Sequence, residues 1–76
     1  MYELPNQSKN LIQKYCEEHD TKKSRKLAEL LQGVGDFMFP KSDDDAYFLE
    51  MMIMSEKNAD FKKALEDLDE CLYGNW

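Results

Sequence analysis

Hydrophobic residues recur along the chain at helical spacing rather than in strand-like alternation, and they predict four short helices. The first follows Pro5 and is capped by Asn6 or Ser8, because their side-chain oxygens can accept hydrogen bonds from free backbone amides. It ends near His19. Its apolar face, at offsets of 0, 1, 4 and 5, consists of Leu11, Ile12, Tyr15 and Cys16.

The second helix begins after Asp20 or Thr21, both of which are good capping residues. Gly33 is predicted to end it, because glycine takes the left-handed conformation of a helix end without steric cost. Its apolar face, at offsets of 0, 3, 4 and 7, consists of Leu27, Leu30, Leu31 and Val34.

The third helix starts after Ser42, which caps it with Asp45 three residues later as a variant of the capping box, and extends to about Met54. The polar segment 55–58 separates it from a fourth helix capped by Asn58, although one continuous helix is the alternative. The fourth helix has the clearest amphipathic pattern in the chain. Its apolar residues are Phe61, Ala64, Leu65, Leu68 and Leu72.

The predicted architecture is all-α: a small three- or four-helix bundle with short connections, forming a single domain over residues 1–76. No apolar run reaches the ~20 residues that a membrane-spanning helix needs. The first ten residues lack the apolar stretch of a signal peptide, so we expect a cytoplasmic protein that has no membrane partner.

The predicted third helix is apolar on nearly all sides, since Glu50 is the only polar residue in its central part. If Glu50 faces water, Phe48 and Met52 lie on the opposite side, at ~100° per residue. The apolar residues within about 60° of Glu50, which cannot all be buried in so small a bundle, are Tyr47, Ile53 and Met54.

This surplus of apolar surface has two interpretations. In one, the third helix is the centre of the bundle and is wrapped by segment 37–39 and by Trp76. In the other, which we favour, the helix forms an interface with a second copy of the chain or with another protein. The predicted anchors of that interface are Tyr47, Met51 and Met54, supported by Phe37 and Phe39.

The chain has 16 acidic and 10 basic residues, a net charge of -6, and residues 39–76 carry the whole excess. Three of the acids, at positions 43–45, suit the start of a helix, where the macrodipole favours negative charge. Four others lie in the second half of the fourth helix, where the dipole disfavours them. They are either a solvated face or an acidic stripe for a basic partner: Glu66, Asp67, Asp69 and Glu70.

A cluster of basic residues begins the second helix, which is the end where the dipole disfavours positive charge. Such a cluster could contact phosphates in a DNA-binding helix-turn-helix. We expect instead that these side chains lie near the acids of the fourth helix, within one chain or across a dimer. The cluster consists of Lys22, Lys23, Arg25 and Lys26.

The residues that could carry chemistry are few. Cys16, His19 and Cys71 could supply zinc ligands, but antiparallel first and fourth helices would put the two cysteines at opposite ends of the bundle. The acids at 43–45 lack the spacing of a calcium loop. No glycine-rich phosphate loop is present. We therefore expect free thiols, no metal or cofactor, and no enzymatic activity.

The predicted function is that of a small acidic protein–protein interaction module, either a homodimer or part of a complex. Its partner would have a basic surface, and masking a surface that handles nucleic acid would make it an inhibitor or antagonist. Phage-encoded inhibitors and immunity proteins are the biological types that fit. The alternative is a small helical DNA-binding regulator that uses the basic start of the second helix.

Overall fold

Four α-helices make up most of the chain in a computed structural model, which describes residues 4–34 and 42–73. They are α1 (Asn6–Glu18), α2 (Lys22–Gln32), α3 (Asp43–Ser55) and α4 (Ala59–Tyr73). The described residues contain no strand, and the predicted all-α bundle is confirmed. The alternative of a continuous third and fourth helix is wrong, because a short segment separates α3 from α4.

Side-chain caps begin α2, α3 and α4, as predicted. Thr21 and Ser24 form a reciprocal capping box, with N–H to Oγ distances of 3.1 and 3.0 Å. At the start of α3, Ser42 accepts a hydrogen bond from the amide of Asp45 at 3.1 Å. Asn58 accepts hydrogen bonds from the amides of Asp60 and Phe61, the second and third residues of α4, at 2.9 and 3.1 Å, and so caps a new helix after the break that follows α3.

Two local predictions are wrong. The cap position of α1 is Pro5, which makes no side-chain cap bond, whereas Ser8 points inward and is buried. Gly33 does follow α2, but its φ of -77° and ψ of -10° are right-handed. Its amide and that of Val34 bond to carbonyls three residues back, so the last turn tightens without reversing into the left-handed region.

The core is formed by ten hydrophobic residues from all four helices: Ile12, Leu27, Leu30, Leu49, Met52, Phe61, Ala64, Leu65, Leu68 and Leu72. All five apolar residues predicted for α4 are among them. α4 packs against both α1 and α3, and α2 packs against α1. Ser8 lies beside Asp67, and Tyr15 lies beside Phe61, so α1 and α4 are antiparallel.

α3 lies at the edge of this arrangement, with α4 as its main packing neighbour. Leu49 and Met52 are buried, whereas Phe48 and Ile53 are only partly covered. The described helices cover only one side of α3, and its interpretation as the wrapped centre of the bundle stays a prediction. The segment 37–39 and Trp76, which that interpretation placed around α3, lie outside the described residues.

Among the described helices, none combines the length and apolar character needed to cross a membrane.

Candidate functional site

Three large apolar side chains of α3 are exposed to solvent. Tyr47 is 63% exposed, Met51 is 45% exposed and Met54 is 70% exposed. Their offsets of 0, 4 and 7 place them above one another on one side of the helix, and we call them the α3 stripe. These are the three residues that the sequence predicts as interface anchors.

The exposure of the α3 stripe follows from the composition of the helix. Leu49 and Met52 occupy the side that faces the core. At ~100° per residue, the centre of the α3 stripe lies about 160° around the helix from these two residues. A helix that is apolar all round, but is covered on one side only, must expose the rest of its apolar surface.

Four carboxylates from α3 and α4 form what we call the acidic edge: Glu50, Glu66, Asp69 and Glu70. Asp69 is half-buried and the other three are exposed. Burial raises the pKa of the Asp69 carboxyl, and the nearby charges of Glu50 and Glu70 raise it further. Within residues 4–34 and 42–73, no ion pair reaches any of the four. The acidic edge is therefore a patch of mutually repelling charges.

Glu50 is the member of the acidic edge that the sequence analysis missed. It was identified only as the one polar residue of an apolar helix. Its proximity to Asp69, together with that of Asp45 to Tyr73, shows that α3 and α4 are antiparallel, and this arrangement brings position 50 of one helix close to position 69 of the other. The predicted polar break at 55–58 was the signal for that hairpin.

Asp67, which was predicted as part of the acidic stripe, is not a surface residue. Only 7% of it is exposed, and its Oδ2 accepts a hydrogen bond from the Ser8 hydroxyl at 2.7 Å. Asp67 lies three positions after buried Ala64 and four before half-buried Cys71, so it shares their side of α4. That spacing could have separated it from its exposed neighbours.

Within the described part of one chain, the basic cluster at the start of α2 forms no ion pair with the acids of α4, whereas the expected pairing across a dimer stays a prediction. Lys26 forms an ion pair with Asp45 in the first turn of α3, with 2.5 Å between Nζ and Oδ1. This hydrogen bond raises the pKa of Lys26. Arg25 bonds to Asp20 at 3.0 Å. The ion pair directs the Lys26 side chain toward the first turn of α3 rather than toward the acidic edge.

Tyr73 lies close to the ion pair between α2 and α3. Its hydroxyl is buried and has no hydrogen-bond partner among the described residues. Burial raises the pKa of this hydroxyl, and the charge of Asp45 adds to the effect. Phe37 and Phe39, which were predicted to support the apolar anchors, lie outside the described residues.

The two cysteines are free thiols with raised pKa values. Cys16 donates to the carbonyl of Ser24 at 3.2 Å and lines an open cleft of about 540 Å³ between α1 and α2. Burial, with smaller effects from Asp67 and Glu70, raises the pKa of Cys71 to about 11. Both thiols are thus poor nucleophiles at neutral pH, because the thiolate is the reactive form.

His19 packs against Tyr15, with ring centroids 4.5 Å apart. The antiparallel arrangement of α1 and α4 separates Cys16 from Cys71 along the bundle, as predicted. Over the two described ranges, no three acidic, cysteine or histidine side chains come together as metal ligands.

Comparison with models of protein families, with curated protein sequences and with solved structures finds no match.

Proposed function

We propose that this chain is a non-enzymatic interaction module that binds a protein with a basic surface. The observation that carries the proposal is that two features which each lower the stability of an isolated monomer lie side by side. Glu50 of the acidic edge is three residues after Tyr47 and four before Met54 of the α3 stripe, so they are neighbours on the helix surface. The α3 stripe leaves apolar surface in water, and the acidic edge holds like charges together. A basic and partly apolar partner would relieve both.

Each feature has a separate role in such a complex. The α3 stripe would be desolvated on binding, and its methionines can adapt to irregular surfaces because their side chains are unbranched. The acidic edge would attract basic residues over distance and select against acidic partners. Tyr47 suits an interface because its ring is large and has few rotatable bonds.

A partner surface of this kind is typical of proteins that handle nucleic acid, since phosphates are bound through Lys and Arg. Occupying that surface would prevent the partner from holding its nucleic acid. The proposed biological role is therefore that of an antagonist, of the kind found among phage-encoded inhibitors and immunity proteins. The negative charge of the acidic edge and the exposure of the α3 stripe support this role because they predict a basic and partly apolar surface on the partner.

The test compares three baits in affinity capture from a cell extract. The first is the natural chain, and the second carries Glu66→Lys, Asp69→Lys and Glu70→Lys. The third is a control with the same change in charge at exposed positions of α1 and α2, namely Glu17→Lys, Glu18→Lys and Glu29→Lys.

We expect the natural chain and the control to retain the same basic protein, which elutes as salt is raised. The variant of the acidic edge should lose at least about tenfold in affinity for that protein, measured after purification. Equal retention by all three baits would contradict the proposal.

DNA binding through the start of α2 receives less support. Lys26 and Arg25 already pair with carboxylates of the same chain, which leaves Lys22 and Lys23 as the bases of the cluster that form no ion pair with the described residues. Gel retardation of random duplex at low salt tests this alternative, since it expects a salt-sensitive shift and the proposed function expects none.

A further inference from the structure

We infer that the α3 stripe binds an amphipathic helix of the partner, and that Lys or Arg residues flank the apolar face of that helix. This inference rests on the proposed function and specifies the shape and chemistry of the partner. It comes from the spacing of the exposed apolar residues and from the position of the acids beside them.

The α3 stripe has the spacing of a helix-pairing seam. Successive steps of four and three residues, from Tyr47 to Met51 and from Met51 to Met54, are those of d, a and d positions in a heptad. Glu50 then occupies a g position, which flanks the seam and pairs with charges on a neighbouring helix. A second helix laid along α3 would contact all three anchors over about 10 Å.

The charges beside the seam predict which residues flank the apolar face of the partner helix. Glu50 lies close to Asp69 of α4, so the acidic edge extends from the g flank of α3 onto the adjacent helix. No base from the described residues is paired with this edge. Lys or Arg residues on the facing flank of an incoming helix would therefore meet unpaired carboxylates.

The chemistry of α3 disfavours a second copy of the chain as the occupant. α3 contains four acidic residues, Asp43, Asp44, Asp45 and Glu50, and no basic residue. If two copies paired antiparallel through their stripes, the g positions Asp43 and Glu50 of one copy would face the same acids of the other. In a parallel pair these acids would face the e positions, Phe48 and Ser55, so neither direction gives the acidic edge an opposite charge. An extended peptide is also disfavoured, because the described residues contain no sheet edge that could pair with its backbone.

The test uses a synthetic peptide of three heptads with Leu at a and d and Lys at e and g. A peptide of identical composition, with its heptad order scrambled, has the same charge but no seam. Both are titrated into the isotopically labelled full chain at low salt, and backbone amide shifts are followed by NMR. The mass of the unmixed chain is measured in parallel by sedimentation.

We expect the patterned peptide to bind at least about tenfold more tightly than its isomer, and to shift amides around the α3 stripe. Tyr47→Ser with Met51→Ser should remove this preference. The control is Gln13→Ser with Lys14→Ser, two exposed positions on α1, which should retain it.

Equal binding of the two peptides would overturn the inference, because charge alone would then explain the attraction. The proposal that the partner has a basic surface would still stand. No binding of either peptide would overturn the inference as well. A natural chain that sediments as a dimer, and becomes monomeric on Tyr47→Ser and Met51→Ser, would show that a second copy is the occupant. The proposed function has its own test, since capture by the acidic edge does not depend on the peptides.

Discussion

Asp67 and Asp69 are two positions apart on α4, yet their surroundings differ. Asp67 is buried against α1 and accepts a hydrogen bond from Ser8. Asp69 is half-buried beside Glu50 and Glu70, which raise its pKa together with burial. A step of two residues on a helix turns a side chain by ~200°, so neighbouring acids can serve packing and surface roles separately.

The hydrogen bond between Ser8 and Asp67 should contribute measurably to stability. Ser8→Ala removes a donor from a buried carboxylate, and bonds to charged groups are worth about 1.5–3 kcal/mol. We expect the free energy of unfolding, measured by urea denaturation, to fall by about 1–2 kcal/mol. Ser55→Ala, at an exposed serine whose hydroxyl donates to the carbonyl of Met52, is the control and should change it by less than about 0.5 kcal/mol.

At the scale of elements, α3 and α4 form a helical hairpin with a conflict at its outer edge. Its turn is well specified, because Asn58 caps α4 and Glu56 accepts bonds from the two amides that follow it. Its outer edge instead combines like charges with an unfavourable position near the C-terminal end of α4. The residues proposed to bind a partner are thus distinct from those that hold the hairpin together.

Asp69→Asn should stabilise the protein at neutral pH. Because the pKa of Asp69 is raised in the folded state, its ionised form is disfavoured there, and the cost is present above that pKa. We expect a gain of about 0.5 kcal/mol at pH 7, the size of an exposed like-charge contact. The gain should shrink as pH falls through the folded pKa and vanish below the unfolded value of 3.8.

Asp60→Asn removes a charge from the other end of α4 and is expected to change stability in the opposite direction. Asp60 lies in the first turn of α4, where the macrodipole favours its charge, so neutralising it should lower stability at pH 7. Thermal unfolding of both variants at neutral and acidic pH checks the two signs. A loss of stability in both variants would contradict the proposed repulsion at Asp69.

For the whole molecule, the net charge of -6 is distributed unevenly over its surface. Pairing satisfies Lys26 and Arg25 within the chain, while the acidic edge has no ion-pair partner among the described residues. Added salt should therefore raise the stability of the isolated chain and lower its affinity for a basic partner. Screening reduces repulsion within the folded chain and also reduces attraction toward a basic partner.

Sodium chloride is expected to raise the urea midpoint of the isolated chain, because it screens the acidic edge. The variant Glu66→Gln, Asp69→Asn, Glu70→Gln should have a smaller salt dependence, since fewer like charges remain. Denaturation at low and high salt by circular dichroism measures both. An equal salt dependence in the two proteins would place the repulsion elsewhere on the surface.

Much of the fold was predictable because its determinants are local. The caps at Thr21, Ser42 and Asn58, and the apolar spacing of α4, depend on residues within one or two turns of the chain. The exposure of Tyr47, Met51 and Met54 was predictable for a related reason. A small bundle cannot cover both sides of a helix that is apolar all round.

The sequence by itself thus determined the four helical segments, the caps of α2, α3 and α4, the amphipathic core of α4 and the surplus of apolar surface on α3. Only the tertiary structure decided which charges meet. It paired Ser8 with Asp67, linked Lys26 to Asp45, and brought Glu50 next to Asp69. The physical reason is that helix formation depends on neighbours along the chain. The environment of a charge depends instead on the helix packed against it, which for Ser8 and Asp67 is 59 residues away in sequence.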